Sequence, residues 1–228
     1  MVILYIKRLT TILAFFFVFI GCAVSPDLIN SIDPYEEQNR KVHEFNERII
    51  ENLIEPVTGA YVEATPPFVR ERVTDFFENI DDVKSGLNNV MQENFSKALN
   101  DFGRFIFNST FGIFGLFDVA TPMGFSKNNE DFGQTLGKWG IEPGPYIVLP
   151  FLGPTSVRDG LSRGLDSVIS PLAVADDHPT ASGLLTGLNI LNQTTVLLEL
   201  DNFVSGDKYI FFRDCLLYTS DAADEKRC

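Results

Sequence analysis

Few residues of the kinds that build catalytic or metal centres occur in this chain. Its 228 residues include three cysteines, Cys22, Cys215 and Cys228, and two histidines, His43 and His178. Neither histidine has a ligand-spaced partner, so no metal site is expected, and the cysteines imply no disulfide framework. Basic residues are scarce: 18 Lys and Arg against 31 Asp and Glu leave a net charge of −13. Phosphate backbones repel such a chain and no basic-aromatic stripe offsets the repulsion, which excludes nucleic acid as an expected partner. No apolar run reaches the roughly 20 residues needed to cross a bilayer. Strand-like alternation is confined to Tyr146–Leu149, and there is no internal repeat.

What is present begins at the N-terminus. Lys7 and Arg8 precede an apolar run from Leu9 to Ile20, and Gly21-Cys22 follows at once. This is the layout of a secretory signal peptide, too short for a spanning helix. Phe19-Ile20-Gly21-Cys22 resembles a bacterial lipobox, with Phe19 where leucine is usual, so residues 1–21 are expected to be removed and Cys22 to carry covalent lipid. Two or more acyl chains anchor a protein stably. Ala23 stands where an aspartate would resemble an inner-membrane retention signal, which favours the outer membrane. Loss of residues 1–21 takes the net charge from −13 to −15, and such acidity suits a periplasmic face. Residues 22–32 read as an acylated linker. At the other end, Leu216 to Cys228 resembles a translated sequencing adapter, so residues 215–228 are expected to be artefactual, with the natural protein continuing differently after about Arg213 or Asp214. The alternative is an ordinary disordered acidic terminus.

Apolar content of 45% with 21 Phe suffices for one sizeable core, and the signals across 33–214 are helical. Asp33-Pro34-Tyr35-Glu36 supplies an N-cap, a first-turn proline and a carboxylate; Val42, Phe45, Ile49 and Leu53 then form one stripe until Glu55-Pro56 stops the helix. Thr65-Pro66-Pro67 opens a second helix with Val69, Val73, Phe76, Phe77 and Ile80 on its inner face. Leu87, Val90 and Met91 suggest a short third. A fourth runs from Asn94 to Asn108 through Phe95, Ala98, Leu99, Phe102, Phe105 and Ile106. Ser156 to Ser167 reads as a fifth, and Leu184, Leu188, Leu191 and Leu198 as a last. The expected fold is one all-α domain.

Two apolar segments do not look like loops of a soluble bundle: Phe105–Phe117, rich in aromatics and glycine, and Tyr146–Leu152, flanked by Pro145 and Pro154 and broken by Pro150. Runs of this length are core, re-entrant or interfacial. The prolines favour a stiff hairpin in contact with lipid or a membrane protein, because they remove donors that would go unpaired there.

Several stretches together resemble the MlaA (VacJ) family of outer-membrane lipoproteins. These are Asp33-Pro34-x-Glu36-x-x-Asn39-Arg40 with Phe45-Asn46, Arg104-Phe105-x-x-Asn108-Ser109-Thr110, Gly112-x-x-Gly115-Leu116-Phe117-Asp118-Val119-Ala120, Asp131-Phe132-Gly133-x-Thr135-Leu136-Gly137, Gly144-Pro145-Tyr146, Leu149-Pro150-Phe151-x-Gly153 and Arg158-Asp159. They span Asp33 to about Arg213, in the family's order; Gln38 departs from the family's apolar residue. The resemblance implies a ring-like helical domain lying in the inner leaflet of the outer membrane, lipid-anchored on the periplasmic side. It implies a porin trimer as partner and a soluble periplasmic phospholipid carrier as recipient. Its expected function is intermembrane phospholipid transport: removing mislocalised phospholipid from the outer leaflet through a polar channel, which maintains lipid asymmetry. The alternative is a structural lipoprotein that brackets porins without transport. Asn39, Arg40, Phe45 and Asn46 become channel or lipid-contact candidates. Tyr146, Ile147, Val148, Leu149, Pro150, Phe151 and Leu152 become the membrane or porin hairpin. No enzyme and no cofactor are implied beyond the lipid on Cys22 and transient phospholipid.

Rival chemistry is weak. Gly160-Leu161-Ser162-Arg163-Gly164 matches G-x-S-x-G, and Asp176, Asp177 and His178 follow in serine-acid-histidine order. A nucleophile elbow needs a strand immediately before the serine, whereas Ser162 is expected mid-helix on a polar, solvent-facing surface. Gly133-Gln134-Thr135-Leu136-Gly137-Lys138 is one residue short of a P-loop and ends in Trp139.

Overall fold

The computed structural model describes residues 33–169, 179–201 and 206–225. The signal segment, Cys22 and the Asp176-Asp177-His178 turn lie outside the described residues. The chain divides into two units, residues 1–34 and 35–228; the first is almost wholly outside them, and the second carries the fold.

Its first helix, α1 (Glu36–Ile49), starts after Tyr35 at the cap position, with no side-chain cap. It does not stop at Glu55-Pro56, as the proline suggests. A π turn (Ile50–Ile54) follows directly, then α2 (Glu55–Ala64). Proline lacks an N–H and its ring collides with the carbonyl four residues back in a regular helix. Widening the ladder relieves both: Glu55 N–H donates to Ile50 O, five residues back, and Pro56 falls in the first turn of the resumed helix. Pro67 opens α3 (Pro67–Met91) as expected, but that helix also absorbs the short third helix read at Leu87–Met91. The three-residue link Gln92–Asn94 leads to α4 (Phe95–Phe111), which runs back antiparallel to α3.

Much of the apolar surface of α3 and α4 faces outwards. On α4, Phe95, Leu99 and Ile106 are exposed, Leu99 to 73%, while Ala98, Asp101, Arg104 and Asn108 are buried. On α3, Phe68, Val69, Leu87 and Val90 are exposed, while Phe77, Asn79, Asp82, Ser85, Asn88 and Asn89 face in. Of the inner face expected on α3, Val69 is corrected to exposed, Phe77 is buried, and Val73, Phe76 and Ile80 are half-buried. The reason is hydrogen bonding, which the polar stripe satisfies within the protein. Arg104, 1% exposed, donates from Nε to Asp82 (3.2 Å), from Nη2 to Asp118 (3.1 Å), and from Nη1 to Thr121 Oγ1 (2.8 Å) and Phe125 O (3.1 Å). Lys127 donates to Asp82 (2.9 Å) and to Glu78 O (2.7 Å). Asp101 accepts from Ser85 and Asn89 at 2.8 Å each and from Asn128 at 2.6 Å. Asn108 Oδ1 accepts from the N–H groups of Val119 and Ala120. The segment 118–131 is thereby fastened along the α3–α4 pair by side chains from both helices. Gly115 leads into it at φ +88° with its Cα against the Asn79 amide, so a side chain has no room there.

Asp131 caps α5 (Phe132–Lys138) by accepting from Gln134 N–H at 2.8 Å. An antiparallel hairpin follows, β1 (Tyr146–Leu149) and β2 (Gly153–Ser156), in register Tyr146 with Ser156 and Leu149 with Gly153. Helix α6 (Val157–Ile169) leads away from it. Helix α7 (Pro179–Asp201) lies on α2 and α3. Its buried Asn192 accepts from Tyr61 Oη (3.1 Å) and donates to Thr74 Oγ1 (2.7 Å), joining three helices at one amide. The last helix, α8 (Lys208–Glu225), is capped by Asp207, which accepts from Tyr209 N–H. It runs through residues set apart in the sequence as adapter-like, and Leu216 and Leu217 pack against Tyr146, Val148 and Tyr209. Among the described residues no helix is long and apolar enough to cross a membrane.

Removing one member of a buried ion-pair network leaves the others uncompensated. Arg104→Ala is therefore expected to lower stability by about 3–5 kcal/mol, measured by thermal unfolding in detergent. Leu99→Ala should stay within about 0.5 kcal/mol, as for an exposed site, instead of the roughly 2–5 kcal/mol of a core leucine; a core-sized loss would contradict the outward stripe. A second expectation concerns pH. Burial alone would raise the Asp118 carboxyl, but hydrogen bonds from Thr121 and Arg104 outweigh it and hold the group down to about 2. Its contribution is present above the ordinary value of 3.8 and is lost as pH falls through about 2. Asp82 runs the other way, pushed up by burial against Lys127 and Arg104. In Asp118→Asn the acid-limb loss between those values should shrink by on the order of 2 kcal/mol; an unchanged acid limb would show the Asp118 bonds to be idle.

Candidate functional site

The hairpin is held from three sides by side chains that the chain brings from far away. From α1 come Asn39 and Asn46. Asn39 donates to Tyr146 O (3.2 Å) and accepts from Val148 N–H (2.9 Å). Asn46 donates to Leu149 O (3.0 Å) and accepts from Phe151 N–H (2.8 Å). Each amide offers one acceptor and two donors on a planar group, so it pairs with strand backbone as a neighbouring strand would. The spacing is matched. Seven helical residues rise about 10.5 Å at 1.5 Å each, and three strand residues about 10 Å. The edge of β1 that would otherwise stand open is thus closed by a helix.

Between the strands the turn is Pro150-Phe151-Leu152. Phe151 has φ +65°, a left-handed conformation uncommon outside glycine, and Gly153 follows at +76°. The strain at Phe151 is offset by the Asn46 bond to its N–H, and its ring stands edge-on to Phe45, 5.4 Å between centroids. From α6, Arg163 donates to Leu152 O (2.9 Å), fixing the other side of the tip. Phe151, 74% exposed, and Leu152 project outwards.

From α8 comes Tyr209, whose ring meets Tyr146 edge-on at 6.0 Å. Arg40 lies 4.4 Å over the Tyr209 ring and donates to Asp207 (2.9 Å) and Glu36 (2.8 Å). Those hydrogen bonds push the Arg40 guanidinium further up and hold the Asp207 carboxyl below the usual range. Lys208 pairs with Glu47 at 3.4 Å. An open polar groove of about 410 Å³ lies here, lined by His43, Glu47, Glu51, Asp207, Lys208 and Tyr209; its charged walls are unsuited to acyl chains. His43 stands edge-on to Tyr209 at the groove wall.

The structure therefore sorts the candidate residues. Asn39 and Asn46 are buried, holding the hairpin; Phe45 meets its tip; Arg40 faces α8. Tyr146 and Val148 are corrected from membrane or porin contacts to core, 2% and 5% exposed, because strand alternation points them inwards. Ile147 and Leu149 are half-buried on the opposite face, which leaves Pro150, Phe151 and Leu152 as the outward tip. Ser162 is also corrected. It sits in α6 as expected but is buried, donating to Asp159 O at 2.8 Å, whereas Leu161 and Leu165 are exposed. Strand β2 ends at Ser156, so no elbow places Ser162. Among the described residues no group of three His, Cys, Asp or Glu is arranged to hold a metal. Arg163 and Tyr209 were not singled out; Arg163 lay inside the rejected G-x-S-x-G match.

Comparison with known proteins bears on the family and the fold. The family described as MlaA lipoprotein matches residues 31–223. A Rickettsia conorii protein described as uncharacterized is 35% identical over 188 residues, 81% of this chain and 74% of that one. The intermembrane phospholipid transport system lipoprotein MlaA of Escherichia coli is 29% identical over 214 residues, 89% of this chain and 82% of its own length. A solved structure, reported as the structural basis for maintenance of bacterial outer membrane lipid asymmetry, aligns with a TM-score of 0.69 and 26% identity, over 84% of this chain and 98% of that chain.

Asn46→Ala removes both bonds to the tip. Hydrogen exchange at the Phe151 amide should quicken by about tenfold for each 1.4 kcal/mol of local protection lost, while exchange in α3 and α4 stays as in the wild type. Unchanged protection at Phe151 would mean that β2 and Arg163 alone fix the tip.

Proposed function

This chain belongs to the MlaA lipoprotein family, and from that premise we propose that it moves phospholipid at the bacterial outer membrane and so maintains lipid asymmetry. The observation that carries the proposal is the packing of α3 and α4: charged and amide side chains fill most of their buried faces, while Phe68, Leu87, Phe95, Leu99 and Ile106 stand outside. In water such an exterior is a large exposed apolar patch; against acyl chains it carries no hydrophobic penalty. The polar interior, its groups bonded to one another, holds the fold so that the exterior can meet lipid. Desorbing two acyl chains of about sixteen carbons into water costs on the order of 25 kcal/mol at 0.8 kcal/mol per methylene. Taking a charged headgroup through hydrocarbon is also expensive. A protein seated in the inner leaflet, its outside in lipid and its inside polar, lowers both barriers.

Within this reading Cys22 carries the anchoring lipid, the protein faces the periplasm, and lipid passes to a soluble periplasmic carrier. The tip Pro150-Phe151-Leu152, with Phe45 behind it, sets depth in the leaflet or touches a porin trimer. Support for the tip comes from its exposure, its rigid hold by Asn46 and Arg163, and its left-handed Phe151.

Two substitutions separate lipid contact from core. Phe151→Asp should leave a folded, acylated, helical protein that removes outer-leaflet phospholipid poorly. A charge near the middle of a bilayer costs roughly 2.5–3.5 kcal/mol on insertion scales and less near its surface. Val148→Asp should instead unfold the hairpin. Mass spectrometry of the extracted wild-type protein should find intact phospholipid; lyso-products would point to hydrolysis. Absence of bound lipid, with asymmetry intact in Phe151→Asp cells, would favour the structural bracket over transport.

A further inference from the structure

Helix α5 ends in a tightly bonded turn that presents an apolar knob. Gly140 takes φ +87°, its N–H donates to Gly137 O (2.9 Å), and Ile141 N–H reaches back to Leu136 O (3.0 Å). This 6→1 and 5→2 pair is the Schellman arrangement, which closes a helix with its last carbonyls satisfied. The turn carries Trp139 and Ile141, 55% and 48% exposed, between the exposed charges of Lys138 and Glu142. The Phe132 ring braces the indole edge-on at 6.0 Å.

The indole N–H is the informative atom. It donates to Met91 O at 3.2 Å, the carbonyl of the last residue of α3, which no further turn of that helix can bond. Trp139 thereby caps a second helix, and what it turns outwards is hydrocarbon ring without a free donor. The backbone N–H groups of residues 139–141 are bonded as well. A surface whose donors are already satisfied enters an apolar phase without the desolvation penalty of an unpaired amide. The helix it caps, α3, exposes Leu87 and Val90 in its last turns.

We propose that Trp139 and Ile141 form an interfacial anchor that inserts into the lipid bilayer, a second lipid contact beside the hairpin tip. Lys138 and Glu142 limit its depth, since their stems can lie along the acyl boundary while their charges stay with the headgroups. The inference rests on the membrane reading above. Lipid is favoured over a protein groove because the knob is fixed to the end of a helix with exposed apolar residues and offers a partner no hydrogen bond from its ring.

Trp139 is the only tryptophan of the chain, so the full-length protein reports on itself. Reconstituted into phosphatidylethanolamine–phosphatidylglycerol vesicles with brominated acyl chains, it should show blue-shifted emission. Bromines near the glycerol end should quench most of that emission and deep ones less, with little quenching by aqueous acrylamide. Emission quenched by acrylamide and untouched by bromine would overturn the anchor, and so would emission shielded from both, which would mean that protein covers the knob. Moving the reporter to the hairpin tip, as Phe151→Trp in a Trp139→Phe background, keeps the two readings apart. Bromine quenching at position 151 but not at 139 sinks the anchor alone; quenching at neither sinks the membrane reading with it.

Discussion

The structure depends on one buried cation. Arg104 reaches from α4 with four acceptors on its three side-chain nitrogens, and those acceptors come from two other parts of the chain. Asp82 comes from α3, while Asp118, Thr121 and Phe125 come from the irregular segment laid across both helices. Remove the guanidinium and Asp82 keeps Lys127 as its one cation, while Asp118 loses its ion pair. The amide side chains around it, Asn79, Asn88, Asn89, Asn108 and Asn128, extend the same logic without charge. Polar packing of this kind is directional, so it fixes register between helices more narrowly than leucine on leucine does.

Directional packing inside leaves apolar side chains free to serve outside, and the same trade recurs across the domain. Asn192 ties α7 to α2 and α3, while Leu184 and Ile190 of that helix face outwards. Asn39 and Asn46 tie α1 to the hairpin, while Phe151 and Leu152 face outwards. Trp139 spends its N–H on α3 and turns its ring outwards. In each case one amide or indole satisfies backbone or hydroxyl groups that would be costly to leave unpaired, and the adjoining apolar side chains face outwards.

Much of this was legible as period and little of it as direction. The stripe Phe95, Leu99, Phe102, Ile106 gave α4 correctly, but periodicity reports only that two faces differ. Which face is interior depends on the medium, and a lipid-facing helix reads like a water-facing one turned around. Pro66-Pro67 marked a true helix start because both prolines precede the ladder. Pro56 misled because a π turn could absorb it. Asn39 and Asn46 were found through family motifs, not through chemistry; the chemistry is a match between helical and extended rise that needs both partners in view. Arg163 and Tyr209 carried no local signal, since their partners are a carbonyl and a ring whose positions only the folded chain defines.

The π turn at Ile50–Ile54 acts on phase. In a regular helix Asn46 and Thr58, twelve residues apart, would stand about a third of a turn out of line at 3.6 residues per turn. A π turn holds about one residue more than an α turn, so the effective separation becomes eleven, close to three whole turns. Asn39, Asn46 and Thr58, all buried, therefore share one face along a helix that changes its neighbours from the hairpin to α7. The extra residue works as an angular shim. It lets a single helical rod keep one side towards protein over its whole length, where an unbroken α-helix would turn Thr58 away from its neighbours.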